Sequence, residues 1–441
     1  MPFWCPQPHR IRNPLKRWYF RTPAPAPTLA IAEAGAGEDE CQMPPNQNRP
    51  WSNIPAEILC YICDQAFSET GAHYGVEVLA LVCKLWYLIV TGYGRPWSII
   101  RIEPDLCCST VYSTPKSYVN TRLKHSHQYP LDVTIRPVPS DWSENPTPLE
   151  QDIKDAIHAV VGGGLHARRW RTLNAIVHPF VRARLTYPTP ILRRVVLEGI
   201  NQSGFHLGGL FPVAPKLHVL SLTGENSDYR PHLPASTAVT LDRLQLEGFG
   251  TFACIAILEK FVKSQQLTAL ELTGTWSNAP GIAPIALPAV RTLILNARGP
   301  ISVMFSAIIL PDLAQLVVIG GRREVERQNV VDDRDAFALV ASKVETLRLE
   351  SLHFDNKDHL KSTLVAAPKV GCLTMKDITY RAPVEPALGV NKWRRGRKNS
   401  STPDYVTLLK EPQIFPVLRH CVVDDIDRED LVLLRRPRAM G

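Results

Sequence analysis

The sequence predicts an α+β protein in which a small helical module is followed by a solenoid of stacked strand-and-helix units. Three observations predict this fold. Apolar residues recur with helical spacing between residues 54 and 90, and a leucine-rich pattern with strand spacing recurs from residue 192 onward. The length of 441 residues is enough to bury a core without disulfides or metals.

The composition is that of an ordinary globular protein, with 45% hydrophobic and 21% charged residues. A net charge of +8 is a mild excess that does not favour general nucleic-acid binding. The longest apolar stretch, residues 301–319, contains Pro311 and Asp312, which argues against a membrane span. Basic residues interrupt every apolar run near the amino terminus, and the ten cysteines are scattered. We therefore expect an intracellular protein, cytoplasmic, nuclear or both.

Residues 1–49 are predicted to be a disordered arm, since the first 50 residues hold ten of the 38 prolines. Helical periodicity begins after the arm, and its apolar positions fall on one face: Ile54, Ile58, Leu59 and Ile62, then Leu79, Val82, Cys83, Trp86 and Val90. So few residues make a poor core alone. Either a partner or the rest of the chain is expected to cover the surplus apolar face.

Three blocks in this region occur in a characteristic order: IPAEIL at 54–59, LALVCKLW at 79–86 and PWSII at 96–100. Together they resemble an F-box, whose pattern is LPxEIL, then LxxVCxxW, then a Trp-bearing turn before a strand. The resemblance covers residues 50–102 and implies docking to a Skp adaptor. The residues it places at that contact are Ile54, Pro55, Ile58, Leu59, Leu79, Val82, Cys83, Trp86 and Trp97.

The pattern L-x-x-L-x-L then recurs eight times with conservative replacements, its starts 23 to 31 residues apart. The starts are Leu192, Leu217, Leu241, Leu267, Val290, Leu313, Val344 and Val370. A degenerate copy begins at Trp170 and another at Leu418. The period is that of leucine-rich repeats and predicts a parallel sheet in a horseshoe. From residue 50 onward the chain resembles fungal F-box proteins with irregular leucine-rich-like repeats.

The predicted organisation after the F-box is a connecting region at 103–165 and the solenoid at 166–430, followed by a basic tail at 431–441. An insertion near 380–412 interrupts the solenoid and carries a basic run at 392–398. We interpret this run as a solvated loop, with a nuclear-import signal or an anionic-partner site as alternatives.

No catalytic, cofactor or metal site is predicted. Cys60-x-x-Cys63 has the spacing of half a zinc site, but no second pair follows it at finger-like spacing. Cys107-Cys108 is equally weak, and the glycines at 162–164 lack the Lys-Ser/Thr of a phosphate-binding loop.

The resemblance implies a non-catalytic substrate-recognition subunit of a Skp–cullin–F-box ubiquitin ligase, acting in protein degradation. The Skp adaptor, and through it a cullin, would be partners, and the solenoid would hold a protein target of unknown identity. The residues on either side of the middle leucine project from the face opposite the core, where we expect the target to bind. Those predicted to contact it are Arg243, Gln245, Glu271, Ile294, Val317 and Arg348. Two alternatives stay open, a leucine-rich interaction scaffold without a ligase role and an enzyme within residues 103–165.

Overall fold

The computed structural model describes residues 54–70, 75–103, 112–136, 148–200, 211–227, 240–277, 283–298, 300–320, 331, 334–354, 356–381, 393–394, 408–409, 411 and 414–423. All of them belong to one compact unit, Ile54–Gly441. The fold is α+β, and its centre is a large parallel sheet.

Four helices precede the first strand, and each later helix lies between two strands along the chain. In chain order, the helices are α1 (Ala56–Thr70), α2 (Gly75–Ala80), α3 (Lys84–Gly92), α4 (Gly94–Trp97), α5 (Pro115–His125), α6 (Pro148–Val161), α7 (Pro179–Arg182), α8 (Thr251–Leu258), α9 (Ser302–Ala307), α10 (Arg334–Ala341) and α11 (Lys357–Val365). Short 3-10 turns occupy Gly162–Gly164, Ala167–Arg169 and Glu259–Phe261.

The strands are short, from two to nine residues long. They are β1 (Ile99–Ile102), β2 (Leu131–Ile135), β3 (Trp170–Ile176), β4 (Arg194–Glu198), β5 (Val219–Ser227), β6 (Arg243–Phe249), β7 (Ala269–Gly274), β8 (Ile285–Ala286), β9 (Thr292–Ala297), β10 (Ile308–Ile309), β11 (Gln315–Ile319), β12 (Thr346–Glu350), β13 (His353–Phe354), β14 (Cys372–Lys376), β15 (Thr379–Arg381), β16 (Trp393–Arg394) and β17 (His420–Val423).

Within the described residues, twelve strands form one open sheet in the order β1-β2-β3-β4-β5-β6-β7-β9-β11-β12-β14-β17. Each strand pairs in parallel with the next one in that order, so the sheet grows along the chain without reversals. The remaining strands form two small sheets, β10-β8 and β13-β15-β16. The last pair, β15 and β16, is antiparallel and lies within the predicted insertion.

Rows of leucines in register fill one side of the sheet. Leu244, Leu270, Leu293, Leu316 and Leu347 follow one another across five strands, and all are buried. The first leucine of each repeat is also buried, just ahead of its strand. The sequence prediction of inward-facing leucines at these positions is confirmed.

The sheet begins earlier than residue 166. β1 and β2 are its first two strands, although the sequence analysis assigned them to the F-box and the connecting region. Ile100 and Ile102 alternate inward in β1, as Val133 and Ile135 do in β2. A strand needs only this period of two, and these two strands lack the leucine that precedes a repeat. The leucine-rich pattern therefore does not include them.

The apolar stripe from Leu79 to Val90 lies on two helices rather than one. Residues 81–83 form a turn between α2 and α3, and Cys83 is the extended N-cap of α3. The turn still makes helix-like bonds, with the Leu81 amide 3.1 Å from the Val78 oxygen. Helical spacing therefore continues across the break and conceals it in the sequence.

The glycines that end two strands have left-handed backbones. Gly199 follows β4 with φ 75°, and Gly248 lies near the end of β6 with φ 74°. L side chains rarely adopt these values, which explains glycine at these two positions after the leucine pairs.

A carboxylate in the leucine row tests this core. Leu293→Asp should lower the free energy of unfolding by several kcal/mol, since an unpaired charge would be buried. Thr292→Asp, one residue earlier and on the opposite face, is the control. Its free energy of unfolding should stay within about 1 kcal/mol of that of the wild type. Urea denaturation measures both, and equal losses would contradict the inward placement of Leu293.

Candidate functional site

The helical module, α1 to α4, has a small core of its own. Leu59, Val76, Trp86, Val90 and Trp97 are buried together. The Trp97 indole Nε1 donates to the Val90 carbonyl oxygen at 2.8 Å. Each of the four helices contributes at least one side chain to this core.

This core divides the residues that the sequence assigned to an adaptor contact. Leu59, Trp86 and Trp97 are buried, and Trp86 is only 7% exposed, so they do not offer a surface to a partner. Ile54, Leu79 and Cys83 are half-buried against the same core. Pro55, Ile58 and Val82 are exposed. The apolar stripe mixes core and surface because short helices crossing one another bury different sides.

A group of eight exposed apolar side chains lies on α1, α2, α3 and the turn before α3. We call it the apolar helical face: Ile58, Tyr61, Ile62, Val78, Leu81, Val82, Tyr87 and Leu88. Leu81 is 79% exposed. All other described residues together, a far longer stretch, expose ten large apolar side chains. The sequence prediction of the adaptor contact includes only Ile58 and Val82 of these eight. Ile62 lies in the helical stripe but is not assigned to the contact, and the other five fall between the positions of the stripe.

A buried ion pair joins the helical module to the start of the sheet. The Arg122 guanidinium on α5 lies 2.7 Å from the Glu77 carboxylate on α2, and both side chains are almost fully buried. Arg122 also donates to the Pro96 carbonyl oxygen at 2.9 Å. The guanidinium lies over the Trp97 ring at 5.5 Å and over the Tyr118 ring at 5.2 Å.

Two tyrosines complete the surroundings of this pair. The Tyr112 hydroxyl donates to the Glu77 carboxylate at 2.7 Å. Burial, with the hydrogen bond to that carboxylate, raises the Tyr112 pKa well above its ordinary value. Burial also raises the Tyr118 pKa. Both phenols therefore stay protonated at neutral pH, and Tyr112 remains a hydrogen-bond donor to Glu77.

The face of the sheet opposite the leucines carries the predicted target residues. The register aligns them in columns, as the repeat spacing predicts: Gln245 pairs with Glu271, Glu271 with Ile294, and Ile294 with Val317. A polar row crosses β5, β6 and β7. Gln245 accepts a hydrogen bond from Ser221 at 3.2 Å and donates one to Glu271 at 3.3 Å.

The charged members of this set are paired locally. Arg243 forms an ion pair with Glu271 at 3.0 Å, and Arg348 forms one with Glu350 at 2.6 Å on its own strand. The two apolar members of the set offer little surface, since Val317 is only 6% exposed and Ile294 is half-buried. Val317 therefore offers almost no surface to a partner.

No group of three or more His, Cys, Asp or Glu side chains within the described residues is arranged to hold a metal ion. The Cys63 side chain and the Cys107-Cys108 pair lie outside what the structure describes. Desolvation raises the pKa of the buried Cys254 thiol to about 12 and that of Cys421 to about 11. These two thiols are protonated core groups with little nucleophilic character.

None of the described helices combines the length and the apolar character that crossing a membrane requires. Of the basic run at 392–398, Trp393 and Arg394 form β16. The rest of that run, the arm at 1–49 and the tail at 431–441 lie outside the described residues.

Comparison with solved structures finds only distant similarity. No protein-family model matches the chain, and no curated protein matches it. The chain is similar to a crystal structure of a protein from Bacteroides fragilis, at 13% identity over 56% of this chain and with a TM-score of 0.32. The match spans 63% of that protein, which is less than two thirds of its length. A likeness at this level says nothing about what either chain binds.

The buried ion pair makes a stability prediction. Arg122→Met should cost about 3–5 kcal/mol of unfolding free energy, since it leaves the Glu77 carboxylate buried without its cation. The control is Arg136→Met, which breaks the exposed Arg136–Glu198 pair and should cost at most about 1 kcal/mol. Chemical denaturation of both variants gives the comparison. Similar losses would mean that the buried pair has no special role.

Proposed function

We propose that this chain is a non-catalytic substrate-recognition subunit of a Skp–cullin–F-box ubiquitin ligase. In this proposal the helical module is an F-box that docks the Skp adaptor, and the sheet is the wall of a leucine-rich-like horseshoe that holds a protein target. The observation that carries it is the apolar helical face, which coincides with the segment whose sequence resembles an F-box.

Exposed apolar patches of this kind mark interaction sites in soluble proteins. The apolar helical face includes Tyr61 and Tyr87, and aromatic side chains are enriched where interfaces gain most of their energy. The first two helices and the turn before α3 all contribute to the face, so a partner would contact several elements at once.

The F-box resemblance needs one adjustment for this proposal. The exposed residues Pro55, Ile58 and Val82 act as direct contacts to the adaptor. Buried Leu59 and Trp86 act indirectly, because they set the angles between the helices that carry those contacts. Replacing Trp86 would thus disturb the module itself and would not test docking separately.

In this proposal the Glu77–Arg122 pair fixes the orientation of the helical module relative to the sheet. It connects α2 of the adaptor-binding module to α5, which packs beside β1 at the edge of the sheet. A target on the sheet would then be held in a fixed orientation to the adaptor. Fixed orientation suits a receptor that must present its target to a separate catalytic subunit.

One observation favours the scaffold alternative, in which the first helices only cap the sheet. α4 and α5 both contact β1, whose outer edge pairs with no further strand among the described residues. Covering an edge strand is a common way to prevent edge-to-edge pairing. A cap, however, does not require eight exposed apolar side chains on its outer helices.

Charged substitutions on the apolar helical face test the adaptor contact. Ile58→Asp with Leu81→Asp should reduce binding of the purified Skp adaptor by at least about 100-fold, since two carboxylates would have to be buried at the interface. Isothermal titration calorimetry with the full chain measures the affinity. Both positions are exposed, so the melting temperature should stay close to that of the wild type.

The matched control is Leu165→Asp with Leu339→Asp, which changes two exposed leucines outside the helical module. It makes the same change in net charge and apolar surface and should leave adaptor affinity within about threefold. Failure of the wild-type chain to bind any Skp adaptor would reject the ligase proposal and favour the scaffold alternative.

A further inference from the structure

Charge is distributed very unevenly along the chain. Between residues 156 and 224 there are seven arginines and one lysine, and Glu198 is the one acidic residue. This stretch therefore supplies +7 of the net charge of +8. It includes β3 and β4 and the start of β5, and six of its eight basic residues lie in these neighbouring strands or within three residues before them.

Four of these cations lie at or just before the amino ends of the three strands. We call them the basic edge: Arg168, Arg193, Arg194 and Lys216, all of them exposed. Backbone hydrogen bonds show that the segments carrying these residues lie side by side. The Arg193 amide donates to the Arg171 oxygen at 2.8 Å, and the His218 amide donates to the Arg193 oxygen at 2.9 Å. Arg194 pairs in register with Thr172 and Val219.

The other arginines of the stretch have structural partners. Arg169 donates to the Ser126 hydroxyl at 2.8 Å, and Arg171 forms an ion pair with Asp132. Arg184 lies over the Phe180 ring at 5.3 Å. The basic-edge side chains have no hydrogen bond or ion pair anywhere in the described part of the chain. They are therefore available for an external anion, unlike Arg243 and Arg348 farther along the sheet.

We propose that the basic edge binds an acidic segment of a protein partner. This inference rests on the proposed function only in naming that partner as the ubiquitylation target. Three of the four cations are arginines, whose planar forks match carboxylate and phosphate groups. The acidic groups would be aspartate or glutamate carboxylates or phosphorylated side chains.

The size of the edge suits a peptide. Adjacent strands lie about 4.8 Å apart, so β3 to β5 span about 10 Å, the length of about three extended residues. Nucleic-acid binding usually needs more phosphate contacts and rings on which bases stack. Trp170, the aromatic residue of β3, is 1% exposed and offers no such ring.

The test uses the full chain and a fluorescently labelled peptide of alternating glutamate and serine residues, followed by fluorescence anisotropy at low and physiological salt. A second peptide carries phosphoserine, and a third replaces glutamate by glutamine. Arg193→Ser with Arg194→Ser should weaken binding of the acidic peptides at least tenfold. Lys260→Ser with Lys263→Ser makes the same charge change at exposed positions elsewhere and should stay within about twofold.

Equal binding of the two acidic peptides would identify carboxylates as sufficient, and tighter binding of the phosphorylated one would identify phosphate as the preferred group. Either result supports the inference if the Arg193→Ser/Arg194→Ser variant binds the acidic peptides more weakly. Absence of binding to both peptides, or equal loss in the two double variants, overturns it. So does a single-stranded oligonucleotide that binds the same edge more tightly than both peptides.

Skp adaptor binding is measured in parallel and separates the two proposals. The Arg193/Arg194 variant should bind the adaptor like the wild type, since neither residue lies on the apolar helical face. If the wild-type chain binds the Skp adaptor but not the acidic peptides, only this inference is rejected. If the wild-type chain binds the acidic peptides but not the Skp adaptor, only the ligase proposal is rejected. The basic edge would then be a binding site of an interaction scaffold.

Discussion

Parallel pairing in register is the constraint on which the whole structure depends. Side chains in a strand alternate between faces, so a slip of one residue would turn every buried leucine toward solvent. The repeat prevents that slip by placing two inward leucines and one preceding leucine in each unit. The row from Leu244 to Leu347 is buried because each strand keeps this register. The opposite face is then free to vary, and its side chains range from Arg194 to Ile294 without cost to the core.

The helical module depends on the sheet for a different reason. Five buried side chains form too small a core to stabilise four short helices alone. The Glu77–Arg122 pair anchors the module, although burying two charges carries a desolvation cost that the pair must offset. Its extra hydrogen bonds, from Tyr112 to Glu77 and from Arg122 to Pro96, help to satisfy the buried charges. An apolar contact could give similar stability, but it would set the orientation of the module less strictly.

Sequence patterns predicted the local parts of this structure well. The inward leucines follow from short-range periodicity, and the structure has them buried in register. Contacts between distant residues could not be predicted. Glu77 and Arg122 are 45 residues apart and carry no local signal. The burial of Trp86 and of Val317 likewise depends on which neighbours fold over them, and a stripe of apolar residues does not reveal that.

The two candidate surfaces differ in the physics that would drive binding. The apolar helical face would act by removing hydrocarbon from water, which is insensitive to moderate salt and gives long-lived complexes. The basic edge would act through exposed guanidinium groups, whose attraction is screened beyond about 8 Å at physiological ionic strength. Such contacts accelerate encounter more than they prolong residence. A chain with one surface of each kind can hold one partner stably while exchanging the other, because salt and charge act on the second without loosening the first.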